Sequence, residues 1–383
     1  MKGFKIKLDD TEIILKNDST IETAKMIKKY GGNKVLLLYG MGSIKKYGIY
    51  DKIIKILDDS NISFVSFGGI KANPIVKTID EAVLFAKSES VDFILAVGGG
   101  SVIDSAKAIA ANIIEGGDVW DYYIGKRVAK KALPIGVVLT IAATGSESNP
   151  FSVLSNDNDK RSAYSIAFLP RFSILDPINT YSLPSIQTAY GLIDIFTHVS
   201  EQYFVDEEGG VLRDYFCESV FKTILDISLP LLENLGSQSL RMESFWAGNI
   251  GLSRFLMKGI NSGGDWATHS IEHQFSAIND MPHGAGLAVI LPAWLEVVSK
   301  KKPEKVLKFI NNIFNKNNID EGIKALRSFF ESLGVPTYIT DASITQKDIE
   351  RIVDNSVRNE YLGNYVKLSK EDVESIVKIS LKI

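Results

Sequence analysis

The chain's four histidines all fall between positions 198 and 283 of its 383 residues. Asp194 and His198 are four residues apart, a spacing that puts both side chains on one helical face, where they can close on a single ion. His269 and His273 repeat that spacing on a second helical stretch, and Pro282-His283-Gly284 brings another imidazole round a turn. One carboxylate and three imidazoles, from Asp194, His198, His269 and His283, make a donor set suited to Fe2+, Zn2+ or Mn2+. A fifth position must then stay open for substrate, which is easier for Fe2+ than for strictly tetrahedral Zn2+. The cluster reads as the centre of a metal-assisted enzyme. A rival motif is embedded in it: His269-Ser270-Ile271-Glu272-His273 matches the H-x-x-E-H pattern of inverted zinc peptidases, with Glu272 as the base that activates water. That reading leaves Asp194, His198 and His283 without a role. A non-catalytic regulator that binds nucleotide or metal is a further alternative.

Three glycine-bearing loops suggest a second ligand. The apolar run 91–97 leads into Gly98-Gly99-Gly100-Ser101, and 101–113 reads as a helix. Glycines let backbone approach a ligand, and a helix start offers free N–H groups to phosphate. Ile103 stands where the usual dinucleotide fingerprint has its third glycine. A tight turn that packs helix on strand would also use these glycines. The stretch 139–149, with Thr140 and Thr144, offers hydroxyls to a ribose or diphosphate, as would an ordinary connecting loop. Tyr39-Gly40-Met41-Gly42-Ser43 is followed by Lys45 and Lys46 and carries no carboxylate to hold a ribose 2′-hydroxyl. A 2′-phosphate would be welcome beside Ser43 and Lys46, so NADP is the expected nucleotide, with NAD the alternative.

These ligands need a scaffold in two parts. Apolar runs at 34–39, 62–67, 91–97 and 135–139 alternate with helical stretches at 51–59 and 74–88, the latter with Asn73 as cap and Pro74 at the first position. Such runs suit parallel strands covered on both faces. After about 176 the strand signals stop, and helical periodicity marks 185–204, 213–234, 240–257, 265–277, 283–299, 303–315, 321–333, 345–353 and 370–382. The division expected is an α/β dinucleotide-binding domain over 1–180 and an all-helical metal-binding domain over 181–383. A net charge of −3 provides no footprint for nucleic acid or an anionic membrane. The single cysteine, Cys217, excludes an internal disulfide and reads as a buried small residue. With no signal peptide or apolar span evident, a cytoplasmic location is expected.

Taken together the motifs resemble the iron-containing (group III) alcohol dehydrogenases, above all the NADPH-dependent butanol dehydrogenase and aldehyde reductase branch. The resemblance rests on 39–46, on 98–101 with Asp104, on 144–147, on Asp194-x-x-x-His198, on 264–273 and on His283-Gly284. It implies a fold like that of dehydroquinate synthase, with the active site in a cleft between the domains. Asp194, His198, His269 and His283 would bind the metal, and His273 would lie near the nicotinamide. Gly99, Gly100 and Ser101 would hold the diphosphate, Asp104 would sit near the carboxamide, Lys160 would meet the nicotinamide ribose, and Gly40, Gly42, Thr140 and Thr144 would complete the cofactor contacts. Met41 replaces a glycine and Ala142 a proline common among relatives. Hydride would pass between nicotinamide and a primary alcohol or aldehyde polarised by the metal, with His273 a candidate proton relay. An NAD- and zinc-dependent polyol dehydrogenase is the sister reading. Phe151, Leu183, Trp266 and Phe255 suggest an apolar substrate, although aromatic residues at such positions are equally ordinary core. A homodimer is implied, formed through the segment 4–14.

Overall fold

The structure, a computed structural model, describes residues 4–8, 10–206, 210–253, 256, 263–339 and 344–383. The polypeptide forms two compact units, Met1–Leu183 with Leu235–Arg254, and Pro184–Asn234 with Phe255–Ile383.

In the first unit the continuous apolar runs become the central strands. They are β3 (Lys34–Gly40), β5 (Phe93–Gly98) and β6 (Ile135–Leu139), whose inner residues are buried on both faces. With β1 (Phe4–Leu8), β2 (Thr11–Leu15), β4 (Ser63–Ile70) and β9 (Phe172–Leu175) they form a seven-stranded sheet in the order β1-β2-β9-β6-β5-β3-β4. Only β1 runs antiparallel to its neighbour. Helices α1 (Thr23–Lys29) and α3 (Ile49–Asp59) cover one face, while α4 (Val76–Ser88) and α5 (Gly100–Glu115) cover the other.

The order of the strands reverses at β3, which is flanked by β4 on one side and β5 on the other. Ligands in open parallel sheets bind outside the carboxyl ends of strands at such a switch point. Tyr39 pairs with Val97 and Gly98 with Leu139, so the three suspected ligand loops leave adjacent strand ends side by side.

Three features depart from the sequence expectation. Helix α4 starts at Val76 after an Ile75 cap with no side-chain bond, so Asn73 is not its cap. Asn73 instead accepts a hydrogen bond from the Lys160 ammonium at 3.0 Å, and the Pro74 carbonyl accepts from Ser155 N–H. A separate hairpin, β7 (Phe151–Asn156) with β8 (Asp159–Tyr164), turns at Asp157, whose φ is 50°. Helix α8 (Gln238–Gly251) belongs with the sheet rather than with the helices around it in sequence: Met242 and Phe245 join the core on the α4–α5 side, and Asn249 donates to Glu147 and Ser148.

The second unit is built of helices. They are α6 (Ser185–Tyr203), α7 (Val211–Glu233), α9 (Ala267–Asn279), α10 (His283–Lys301), α11 (Pro303–Phe314), α12 (Ile319–Ser332), α13 (Gln346–Ser356) and α14 (Lys370–Leu381). Helix α10 is apolar nearly all round, with Leu287, Ile290, Trp294 and Val298 buried, because α6, α9 and α14 pack against it. No described helix is long and apolar enough to cross a membrane. Cys217 is buried, and burial pushes its thiol up to about 12.

Candidate metal centre and nucleotide loops

Helix α6 carries Asp194 and His198 on its buried face, α9 carries His269, and α10 opens with His283. A single atom is the hub. Asp194 Oδ1 lies 3.0 Å from His198 Nδ1, 3.7 Å from His269 Nε2 and 3.5 Å from His283 Nε2. Ligands bonded to one ion at about 2.1 Å in tetrahedral geometry are separated by about 3.4 Å, so the spacings from Asp194 Oδ1 are compatible with shared ligation of one ion. Asp194 Oδ1, His198 Nδ1 and His269 Nε2 are buried and make no hydrogen bond, even at these separations. Buried polar atoms normally have partners, and three that lack them around one point fit a metal ion. Burial would raise the Asp194 carboxyl, yet the surrounding imidazoles hold it well below the carboxylate range. Burial likewise lowers His198, while Asp194 and Glu201 outweigh burial at His269 and lift it to about 9.

Close packing brings His283 to the hub. A methyl group on Gly284 would lie 2.4 Å from the Tyr190 carbonyl oxygen, so only glycine lets α10 approach α6 here. The Gly263-Gly264-Asp265-Trp266 turn is equally tight: Gly263, Gly264 and Trp266 all have positive φ. Trp266 then places its ring edge-on to His198 and His269.

Glu272, His273 and His283 also come within reach of one another. Both Glu272 oxygens are already engaged, one by the Ser276 hydroxyl and the other by His283 Nδ1. That leaves the Asp194 group, whose facing atoms lack such partners, as the better fit for an ion. The same contacts overturn the peptidase reading, because a Glu272 carboxylate that is fully buried and doubly bonded is not open to activate water. His273 lies beside the cluster, partly buried, with its ring 5.6 Å from His283 and 6.3 Å from His269.

In the sheet unit, part of the need for glycine is internal packing. A methyl on Gly99 would meet Ile141, and one on Gly100 would meet Thr144 at 2.6 Å. The two loops thus interlock at the amino terminus of α5, where the first N–H groups lack helical acceptors. The Ser101 hydroxyl donates to the Ala72 carbonyl. Thr140 N–H donates to the Gly98 carbonyl, and the Thr144 hydroxyl accepts from Ser146 N–H.

Asp104 is a clamp: one oxygen accepts from the Ser146 hydroxyl at 2.6 Å and the other from Val153 N–H, and burial raises its carboxyl. Lys107 escaped the sequence reading. It is wholly buried and donates to the Ser146 hydroxyl, Asn149 Oδ1 and the Phe151 carbonyl. Its i+3 spacing from Asp104 on one helix was the available signal. Lys160 rises from β8 to Asn73.

Beyond the end of β3, Gly42 has a φ of 117°, Ser43 and Lys46 are exposed, and Lys45 lies over the Tyr39 and Tyr50 rings. Gly40 pairs with Ile70 at the end of β4, and neither 39–48 nor 63–75 contains a carboxylate. Phe151 packs against Tyr164, and Leu183 is partly buried. Phe255 lies outside the described residues.

Comparison with known proteins accords with this geometry. Residues 10–177 match the model of the iron-containing alcohol dehydrogenases and residues 188–381 that of their C-terminal domain. The chain is 39% identical to "Probable NADH-dependent butanol dehydrogenase 1" of Bacillus subtilis, over 97% of this chain and 98% of that one. It is 36% identical to the NADPH-dependent aldehyde reductase of Escherichia coli, over 84% of each. The crystal structure of NADH-dependent butanol dehydrogenase A from Thermotoga maritima superposes with a TM-score of 0.93 at 38% identity, covering 100% of this chain and 99% of that one. The fold is thus of the dehydroquinate synthase type, and the chain belongs to the iron-containing alcohol dehydrogenase family.

Proposed function

We propose that this alcohol dehydrogenase interconverts short primary alcohols and aldehydes, such as butanol and butyraldehyde, with NADP(H) and Fe2+. The observation that carries the reading is the convergence of three imidazoles on Asp194 Oδ1, with orphaned atoms turned toward one point. Asp194, His198, His269 and His283 would hold the ion, and a donor set without thiolate suits Fe2+, with Zn2+ as a substitute. When bound, the metal supplies Lewis acidity to the carbonyl oxygen and the nicotinamide supplies hydride.

The residues of the chain do the remaining work. Gly98, Gly99, Gly100 and Ser101 would receive the diphosphate at the start of α5. Asp104, Thr140, Thr144 and Lys160 would position the nicotinamide end. His273 would hold or pass the hydroxyl proton, since imidazole titrates near neutral pH. Gly40, Gly42, Ser43 and Lys46 would receive the adenosine ribose, and the absence of a carboxylate from 39–48 and 63–75 supports NADP over NAD. The relatives' names divide on this point, with NADH and NADPH both represented. β1 is an outermost strand of its sheet, an edge open to pairing with a second copy in a homodimer.

The test is elemental analysis of freshly purified protein beside a butyraldehyde reduction assay with NADPH. About one equivalent of iron and turnover that chelation abolishes and Fe2+ restores are expected. Turnover unaffected by complete metal removal contradicts the proposal.

A further inference from the structure

Two glutamates that the proposed reaction does not use are wholly buried beside the cluster. Glu201 follows His198 by three residues on α6, and Glu272 follows His269 by three on α9. Each reaches a histidine on another helix. Glu201 Oε1 lies 3.1 Å from His269 Nδ1 and also accepts from His269 N–H, while Oε2 accepts from Trp266 N–H at 2.7 Å. Glu272 Oε2 is bonded to His283 Nδ1 and Oε1 to the Ser276 hydroxyl. In each case the imidazole's other nitrogen, Nε2, faces Asp194 Oδ1.

A buried carboxylate is costly unless it is paired, and each of these has an imidazole Nδ1 as partner. An Nδ1–H donated to a carboxylate fixes the tautomer, leaves the Nε2 lone pair free and makes that nitrogen more basic. Space is reserved for one of the contacts. A methyl on Gly286 would lie 2.7 Å from Glu272 Cγ and 3.0 Å from Oε1, so glycine on α10 leaves room for the carboxylate that reaches back to His283.

We infer that Glu201 and Glu272 are positioning residues of the metal centre, each holding the Nδ1 of a ligand histidine contributed by a helix later in the chain. The inference rests on the metal reading above, and it reassigns Glu272 from a water-activating base to a support for His283. With Glu201 on α6 holding α9 and Glu272 on α9 holding α10, the three ligand-bearing helices are linked in series.

The test uses the full-length protein with Zn2+ alone as probe and a chromophoric chelator as competitor, so that affinity is read without turnover. Glu272→Ala should weaken Zn2+ binding about 10–100-fold, and Glu272→Gln, which keeps an acceptor but not the charge, should fall between it and wild type. Gly286→Ala, which displaces the carboxylate without removing it, should also weaken binding. Glu201 additionally supports the start of α9, so Glu201→Gln is the usable variant there. NMR of the Zn2+-loaded wild type should show slowly exchanging Nδ1–H signals for His269 and His283, and Glu272→Ala should lose the His283 signal alone. Wild-type affinity in a folded Glu272→Ala protein, or an unchanged His283 signal, overturns the inference. Failure of the wild type itself to bind Zn2+ or Fe2+ would instead remove the metal reading on which it rests.

Discussion

Gly284 sits so close to Tyr190 that any side chain at position 284 would collide with backbone, the atoms least able to yield. The contact sets how near α10 comes to α6, and with it the reach of His283 toward Asp194. Gly284→Ala should therefore cost about 1–3 kcal/mol of stability through overpacking and lower metal content as well. Melting temperature and bound iron measured on one preparation check both. Retention of full iron would show that His283 does not depend on this approach.

His269→Ala removes one of the orphaned atoms directly. The purified variant should contain little iron and lose turnover by orders of magnitude, while circular dichroism stays that of a folded helical protein. A variant with both iron and activity would exclude His269 as a ligand.

His273→Ala should behave differently. Its ring lies beside the cluster rather than at the hub, so metal content should hold. The pH dependence of kcat should lose a group titrating near neutrality. An unaltered profile removes the relay and leaves His273 a positioning role.

The proposed preference for NADPH rests on Ser43 and Lys46. Replacing both with Ala should raise the KM for NADPH at least tenfold, equivalent to about 1.4 kcal/mol, with little effect on NADH. Equal effects on the two cofactors would place the 2′-phosphate elsewhere.

Lys107 gives a pH prediction. Burial draws its ammonium from 10.5 down to about 8 against the pull of Asp104 and Glu147. Between about pH 8 and 10.5 the unfolded chain then holds the extra proton, so stability rises with pH in that window, and below it the full cost of the buried charge persists. The stability of wild type relative to Lys107→Met should grow across the window, by at most about 3 kcal/mol. Urea unfolding at several pH values measures it, and a flat difference would mean that the ammonium does not titrate there.

The clustering of Asp194 with the histidines could be read from the sequence because histidine is sparse and i,i+4 spacing translates directly into a shared helical face. The parallel core could be read because strands covered on both sides need unbroken apolar runs. The hairpin of β7 and β8 was missed because its turn uses Asp157-Asn158 rather than a glycine pair, and polar residues in Asp159–Tyr164 blur the alternation. β9 is only four residues long. Asn73 and Pro74 imitate a helix start, but their groups go to Lys160 and Ser155 instead. Glu201 and Glu272 carried a signal in their i+3 spacing from a ligand. The histidines they hold lie on other helices, which no local pattern reports.

Helix α8 returns to the sheet from a point more than fifty residues beyond β9. Its Asn249 closes on Glu147 and Ser148, inside the stretch that carries the proposed nicotinamide contacts. The sheet unit is thus finished only late in synthesis, after α6 and α7 have been made. Excising it as a fragment ending near residue 183 would expose the surface that Met242 and Phe245 cover. A free-standing version would have to be spliced, with 235–254 rejoined through a new linker.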